Sequence, residues 1–73
     1  MIMTTGIYQI KNIINGKKYI GLSKNCENRF KKHKGLLKNN KHENIKLQNA
    51  WNKYGEQNFV FSIIEETNLK DLE

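Results

Sequence analysis

The period of the apolar residues changes along the chain, and each change marks an element. Residues 6–12, GIYQIKN, and 17–22, KKYIGL, are rich in Ile and Tyr and read as two strands. Between them Asn15-Gly16 is a strong hairpin signal, because both residues tolerate positive φ. From Ser23 the period lengthens. Cys26, Phe30, His33 and Leu37 stand at i, i+4, i+7 and i+11, one stripe along a helix. Ser23 or Asn25 is placed to cap this helix, and Asn39-Asn40 to end it. A second helix is predicted from about Asn44 to Tyr54, with Leu47, Ala50, Trp51 and Tyr54 on one face and Gly55 just past its end. In residues 58–66, NFVFSIIEE, Phe59, Phe61 and Ile63 alternate with Val60, Ser62 and Ile64, which predicts a third, largely buried strand. Asn68 followed by Leu69-Lys70-Asp71 resembles a capped helix start, with Asp71 near its positive end.

The expected fold is therefore α+β: a small three-stranded antiparallel sheet, elements running β-β-α-α-β along the chain, flanked by helices and followed by the start of a third. No repeat, proline or low-complexity linker divides the sequence, so residues 1–73 are read as one domain. The third helix begins near Asn68 and the last residue is Glu73, while an isolated helical turn is not stable in water. The domain is accordingly expected to be C-terminally incomplete.

A chain of 73 residues can bury only a modest core, and no staple is visible. Cys26 is the only cysteine, and no Cys/His cluster has zinc-ligand spacing. There is no long apolar run and no signal-peptide pattern, so the expectation is a soluble intracellular protein, cytoplasmic or a phage product in the host cytoplasm, with no membrane partner. Charge adds more. Residues 1–53 carry eleven Lys and one Arg against Glu27 and Glu43, a balance of +10, whereas residues 54–73 come to −4. A field concentrated in this way attracts polyanions, most often nucleic acid; a lysine-rich solubilising surface is the other reading. Among thirteen basic residues only Arg29 is an arginine, which suits a position where a planar fork must meet a phosphate.

The hairpin decides how Tyr8 and Tyr19 relate, since opposed residues of an antiparallel pair share a face. A two-residue loop sets Tyr8 against Ser23 and Tyr19 against Asn12. A four-residue loop, Ile13 to Gly16, sets Tyr8 against Gly21 and Tyr19 against Ile10. Either puts both phenols on one face, and the second leaves side-chain-free Gly21 beside Tyr8. A three-residue loop would separate them. Arg29 and His33, one helical turn apart on the border of the apolar stripe, can reach past the core edge onto that face. The set amounts to a phosphate clamp with proton-transfer groups.

At this point the sequence resembles the GIY-YIG endonucleases. Gly6-Ile7-Tyr8 and Tyr19-Ile20-Gly21 match both halves of the motif, with ten residues between the tyrosines. Arg29 and His33 stand where the family has its helix-borne Arg and His. His42, the following Ile45-Lys46-Leu47-Gln48, and Ala50 to Gly55 followed by Phe59 resemble the phage intron-encoded homing branch. The resemblance implies hydrolysis of DNA phosphodiesters with one divalent metal, Mg2+ or Mn2+, by a monomer. It implies that Tyr8 deprotonates or positions the attacking water and that Tyr19 positions water or phosphate. Arg29 would neutralise charge on the scissile phosphate, and His33 and His42 would hydrogen-bond water or phosphate. Gly6 and Gly21 are motif residues; Lys18, Lys31, Lys32, Lys34, Lys38, Lys41 and Lys46 are candidates for the DNA backbone. The family's metal-ligand glutamate belongs to the helix after the third strand, in an Arg-Glu pair followed by an aromatic. Glu65, Glu66 and Glu73 do not match that motif, and a later asparagine of homing members has no counterpart, so no metal ligand is identified. The alternative reading is a truncated, catalytically dead nucleic-acid-binding module that kept the fold.

Overall fold

The computed structural model describes residues 4–67. Strand β1 runs Gly6–Asn12, β2 Lys18–Ser23 and β3 Phe59–Glu66; helix α1 runs Cys26–Lys38 and α2 Ile45–Tyr54, with a single 3₁₀ turn at Glu56–Asn58 before β3. The α+β expectation holds in element order and nearly in boundaries. The predicted helix start at Asn68, with Asp71, lies outside the described residues, as does Glu73.

The sheet is antiparallel throughout, and β1 is its central strand, in the order β2-β1-β3. The hairpin takes the four-residue loop: Tyr8 pairs with Gly21 and Ile10 with Tyr19. The reason lies in Asn12. Its backbone bonds Lys17 and Gly16, and its buried side-chain Oδ1 accepts from the Ile14 N–H at 2.9 Å, so the turn is wound around it. Gly16, at φ 77°, supplies the left-handed position.

Alternate residues of β1 (Gly6, Tyr8, Ile10 and Asn12) are buried beneath the helices. Their partners Phe59, Phe61 and Ile63 on β3 share that face. Helix α1 starts at Asn25, whose side chain accepts from the Asn28 N–H, and ends at Asn40 with φ 57°, a conformation asparagine tolerates. Helix α2 is capped by the Asn44 side chain on the Leu47 N–H and stopped by Gly55 at φ 88°. Ile10, Cys26, Leu37 and Leu47 are almost wholly enclosed, and Trp51 meets Phe59 with ring centroids 5.3 Å apart. Each large side chain so buried contributes roughly 1.5–3 kcal/mol. On the outer face of the sheet Ile20, Leu22 and Val60 are about half exposed.

Gly6 has a packing role. A Cβ there would lie 3.0 Å from the Glu66 Cα and closer still to the Glu65 carbonyl oxygen. The approach is tight because β3 carries an extra residue at this level: Ile7 pairs with Glu65 and Tyr8 with Ile63, leaving Ile64 in a bulge. The same end is tied to α1 through Glu27, whose carboxylate accepts from the Thr4 N–H at 2.7 Å and its hydroxyl at 2.5 Å. These bonds hold the Glu27 carboxyl below its ordinary pKa of 4.5. The group therefore adds stability above that value and loses it as pH falls through the depressed one. We expect Glu27→Gln to melt below the native chain at pH 7, the gap closing in acid, as followed by circular dichroism.

Candidate active site

The four-residue loop brings Tyr8 and Tyr19 onto the inner face of the sheet. Tyr8 is buried, its ring set edge-on against Phe30 at 5.6 Å. The space for it exists because position 21 has no side chain: a Cβ on Gly21 would lie 2.7 Å from Tyr8 Cε2 and nearer to Cζ and Oη. The phenol is thus steered along the sheet to α1, where Tyr8 Oη meets His33 Nε2 at 2.8 Å.

His33 does not stop there. Its Nδ1 lies 2.7 Å from His42 Nε2. The two rings are inclined by only 20° with centroids 5.0 Å apart, a span that two ring radii plus the nitrogen contact account for, so they meet edge to edge rather than face to face. His42 is in turn fixed from both sides. The Asn44 N–H donates to its Nδ1 at 3.0 Å, and its own backbone N–H donates to Gln48 Oε1 at 3.0 Å. The buried Gln48 amide donates to the Leu37 carbonyl at the end of α1 and to Asn52 Oδ1, each at 3.0 Å. A chain of bonds therefore runs from the cap of α2 to the oxygen of Tyr8.

A cavity of about 110 Å³ opens beside this chain, lined by Tyr8, Tyr19, His33, His42 and Asn44 with Ile10, Ile20 and Leu47. Arg29 stands one helical turn from His33 and is exposed, in no ion pair among the described residues. It lines a wider groove of about 470 Å³ with Leu22, Ser23, Lys24, Asn25, Asn28 and Lys32. Its charge nevertheless reaches the buried groups. Burial pushes the Tyr8 phenol above its ordinary pKa, and Arg29 opposes the rise. Burial lowers His33, with His42 and Arg29 acting in the same direction. At neutral pH both are uncharged, and the cationic face is Arg29's.

The structure brings Tyr8, Tyr19, His33 and His42 to one cavity, whereas Arg29 lines a separate groove that shares no lining residue with it. In this structure Tyr8 and His42 occupy both ring nitrogens of His33. His42 likewise has both nitrogens engaged. The candidate lysines divide. Lys32 lines the Arg29 groove, and Lys46 lines a groove of about 290 Å³ beside Tyr19. Lys18 pairs with Lys11 and so leaves from the outer face of the sheet. Lys34 lies over the Phe61 ring at 4.9 Å, and Lys38 pairs with Glu56 at 3.7 Å, an exposed contact of little energetic weight. Lys31 and Lys41 are exposed and line neither groove. Sequence reasoning missed Lys17, Lys24 and Lys53, which line the grooves, and Gln48, which anchors His42. The i, i+4, i+8 run Asn44, Gln48, Asn52 beside the apolar face was the available signal for the last.

The chain is similar to known proteins over most of its length. A family model described as the GIY-YIG catalytic domain matches residues 4–72. The chain is 48% identical over 64 residues to intron-associated endonuclease 1 of Enterobacteria phage T4, covering 88% of this chain and 26% of that protein. It is 42% identical over 60 residues to a probable intron-encoded endonuclease 1 of Neurospora crassa, covering 82% of this chain and 18% of that one. The chain thus spans about a quarter or less of the curated relatives it matches. Its fold superposes on the catalytic domain of intron endonuclease I-TevI, E75A mutant, with a TM-score of 0.85 at 48% identity, covering 96% of this chain and 72% of that domain.

Proposed function

The chain belongs to the GIY-YIG catalytic domain family, and from that premise we propose that it is the catalytic part of a DNA endonuclease, with Tyr8, Tyr19, Arg29, His33 and His42 as its site. The observation that carries the proposal is the pairing of a buried, hydrogen-bonded phenol with an uncommitted guanidinium at the edge of a basic groove. Lys24, Lys32 and Asn28 extend that groove and suit a run of backbone phosphates. Arg29 stabilises the charge that gathers on the phosphate oxygens as water adds to phosphorus. Tyr8 orients that water and takes its proton. Tyr19, on the wall of the same cavity, positions the water or a phosphate oxygen. The chain is read as acting on DNA as a monomer in the cytoplasm of a cell or of a phage host; no helix among the described residues is long and apolar enough to cross a membrane.

The family generally uses a divalent cation. Mg2+ and Mn2+ favour carboxylate oxygens, and the cavity lining offers phenols and imidazoles but no carboxylate. Among the described residues no group of three or more His, Cys, Asp or Glu could hold a metal, and Glu65 and Glu66 are exposed at the end of β3. These residues do not fit the ion, and no step is assigned to it.

Nicking of supercoiled plasmid tests the reading. We expect conversion to the open circle, assayed with and without added magnesium, and weakened steeply between 50 and 200 mM salt as phosphate contacts are screened, by roughly 10³–10⁵ in affinity for six to ten contacts. Salt-sensitive binding with no nicking at any magnesium concentration would overturn it in favour of a binding module.

A further inference from the structure

We propose that the backbone N–H of Asn44 fixes the proton order along His42, His33 and Tyr8, so that His33 donates from Nε2 to the Tyr8 oxygen and the tyrosine is held as an acceptor. The inference rests on the nuclease reading for its meaning in catalysis, but its geometry stands apart from it. The Asn44 amide can only donate, so His42 Nδ1 must accept and carries no proton. A neutral His42 then bears its proton on Nε2, which faces His33 Nδ1 at 2.7 Å and makes that nitrogen the acceptor. His33 in turn bears its proton on Nε2, pointed at Tyr8 Oη at 2.8 Å. The reverse order, in which His33 takes the phenol's proton, would leave two hydrogens facing each other between Asn44 and His42. An imidazolium at His42 would do the same.

The lock is built into the fold at each end. Asn44 is the cap of α2, its side chain engaged with the Leu47 N–H, and this orients its own amide. The His42 backbone is bound to Gln48, whose amide is itself fixed by Leu37 and Asn52, so a ring flip would lose both nitrogen contacts. The charged and titratable groups around the pair are Tyr8 on β1, Tyr19 on β2, Arg29 and Lys32 on α1, and Glu43 next to His42; the β3 residues on this face, Phe61 and Ile63, carry no charge. Arg29 and Lys32 oppose a proton on His33, as does burial, and only Glu43 favours one.

His42 is then a positioning residue, and His33 a fixed donor rather than a base. In hydrolysis the phenol's own O–H is left to face the cavity and loses its proton to solvent there. The phenolate, held by the His33 N–H, accepts a proton from the attacking water as its oxygen bonds to phosphorus. The bond from phosphorus to the leaving nucleoside oxygen breaks, and that oxygen takes a proton from solvent. Nothing passes along the histidines. Their work is to lower the cost of the phenolate.

Long-range proton–nitrogen correlation of the 15N-labelled 73-residue chain, without DNA and above the titration of both histidines, tests the order directly. The expected spectrum has both imidazoles protonated on Nε2, each Nδ1 with the downfield shift of a bare ring nitrogen. A His33 protonated on Nδ1 overturns the proposal. Asn44→Pro, tolerable at a φ of −82°, removes the amide and should shift His42 toward a tautomer mixture, whereas Asn44→Ala, which loses the cap but keeps the N–H, should not. In plasmid nicking, His42→Ala should move the ascending limb of the pH–rate profile to higher pH, because an undonated phenolate forms later. His42→Gln, which offers an amide N–H in place of Nε2, should restore most of it. A lower rate with the limb unmoved would overturn the catalytic part. Absence of nicking by the native chain with the expected tautomers would instead sink the nuclease reading and leave the proton order standing.

Discussion

Alanine at position 21 should abolish cleavage while leaving the chain folded, at a cost of about 1–3 kcal/mol from overpacking. The added methyl falls on the tip of the Tyr8 ring, at Cζ and Oη, the part that reaches His33. The ring cannot retreat toward Phe30, which it already touches edge-on, so relief must come from rotation, and rotation breaks the bond to His33. Urea denaturation would give the stability loss and plasmid nicking the activity. A partner variant isolates the cause. Tyr8→Ala empties the space the methyl needs, so in that background Gly21→Ala should cost almost nothing in stability, a coupling that independent sites do not show. Equal destabilisation in both backgrounds would mean that the glycine serves the backbone of β2 rather than the phenol.

Arg29→Ala should lower cleavage by roughly 10²–10³ with no measurable change in melting temperature. The two expectations come from the same observation: the side chain is exposed and pairs with no acidic group among the described residues, so nothing in the fold is left unsatisfied when it is removed. Arg29→Lys should recover only part of the loss, because an ammonium lacks the two-pronged geometry that matches a phosphate. The substitution also has a titration signature. With the guanidinium gone the Tyr8 pKa rises further and that of His33 rises toward its ordinary value, since Arg29 lowers both. The pH–rate profile of Arg29→Ala should therefore turn on at higher pH than that of the native chain. An unshifted profile with the same loss of rate would confine Arg29 to holding the phosphate.

Much of this arrangement was legible before any coordinates. The stripe Cys26, Phe30, His33, Leu37 is the buried side of α1, and the alternation in 58–66 is β3, because a single apolar face against one sheet leaves little freedom in either period. In the sequence either even loop fits the hairpin, because Asn15-Gly16 signals a turn without fixing its length. That length is set by Asn12, whose side chain bonds the Ile14 N–H two residues on and is wholly enclosed; the bond is local, but the enclosure is a tertiary fact no local pattern carries. The bonded histidine pair was hidden for the same reason. His33 and His42 belong to different periods, and only the path of residues 39–44 and the hold of Gln48 bring their rings together. The lysines were the least legible. A charge count cannot tell Lys32, in the groove, from Lys34, lying over an aromatic ring on another side of α1.

The order β2-β1-β3 has a kinetic consequence. Of the described elements, the strand at the middle of the sheet is the first along the chain and one of its two neighbours is the last. Pairing β1 with its hairpin partner is a local event, but its second edge waits until both helices have emerged and a loop spanning most of the chain has closed. During that interval a strand destined for the interior offers its open edge to other chains. Assembly of this small fold should thus be all-or-none and sensitive to crowding by its own nascent copies, rather than proceeding piece by piece from the amino terminus.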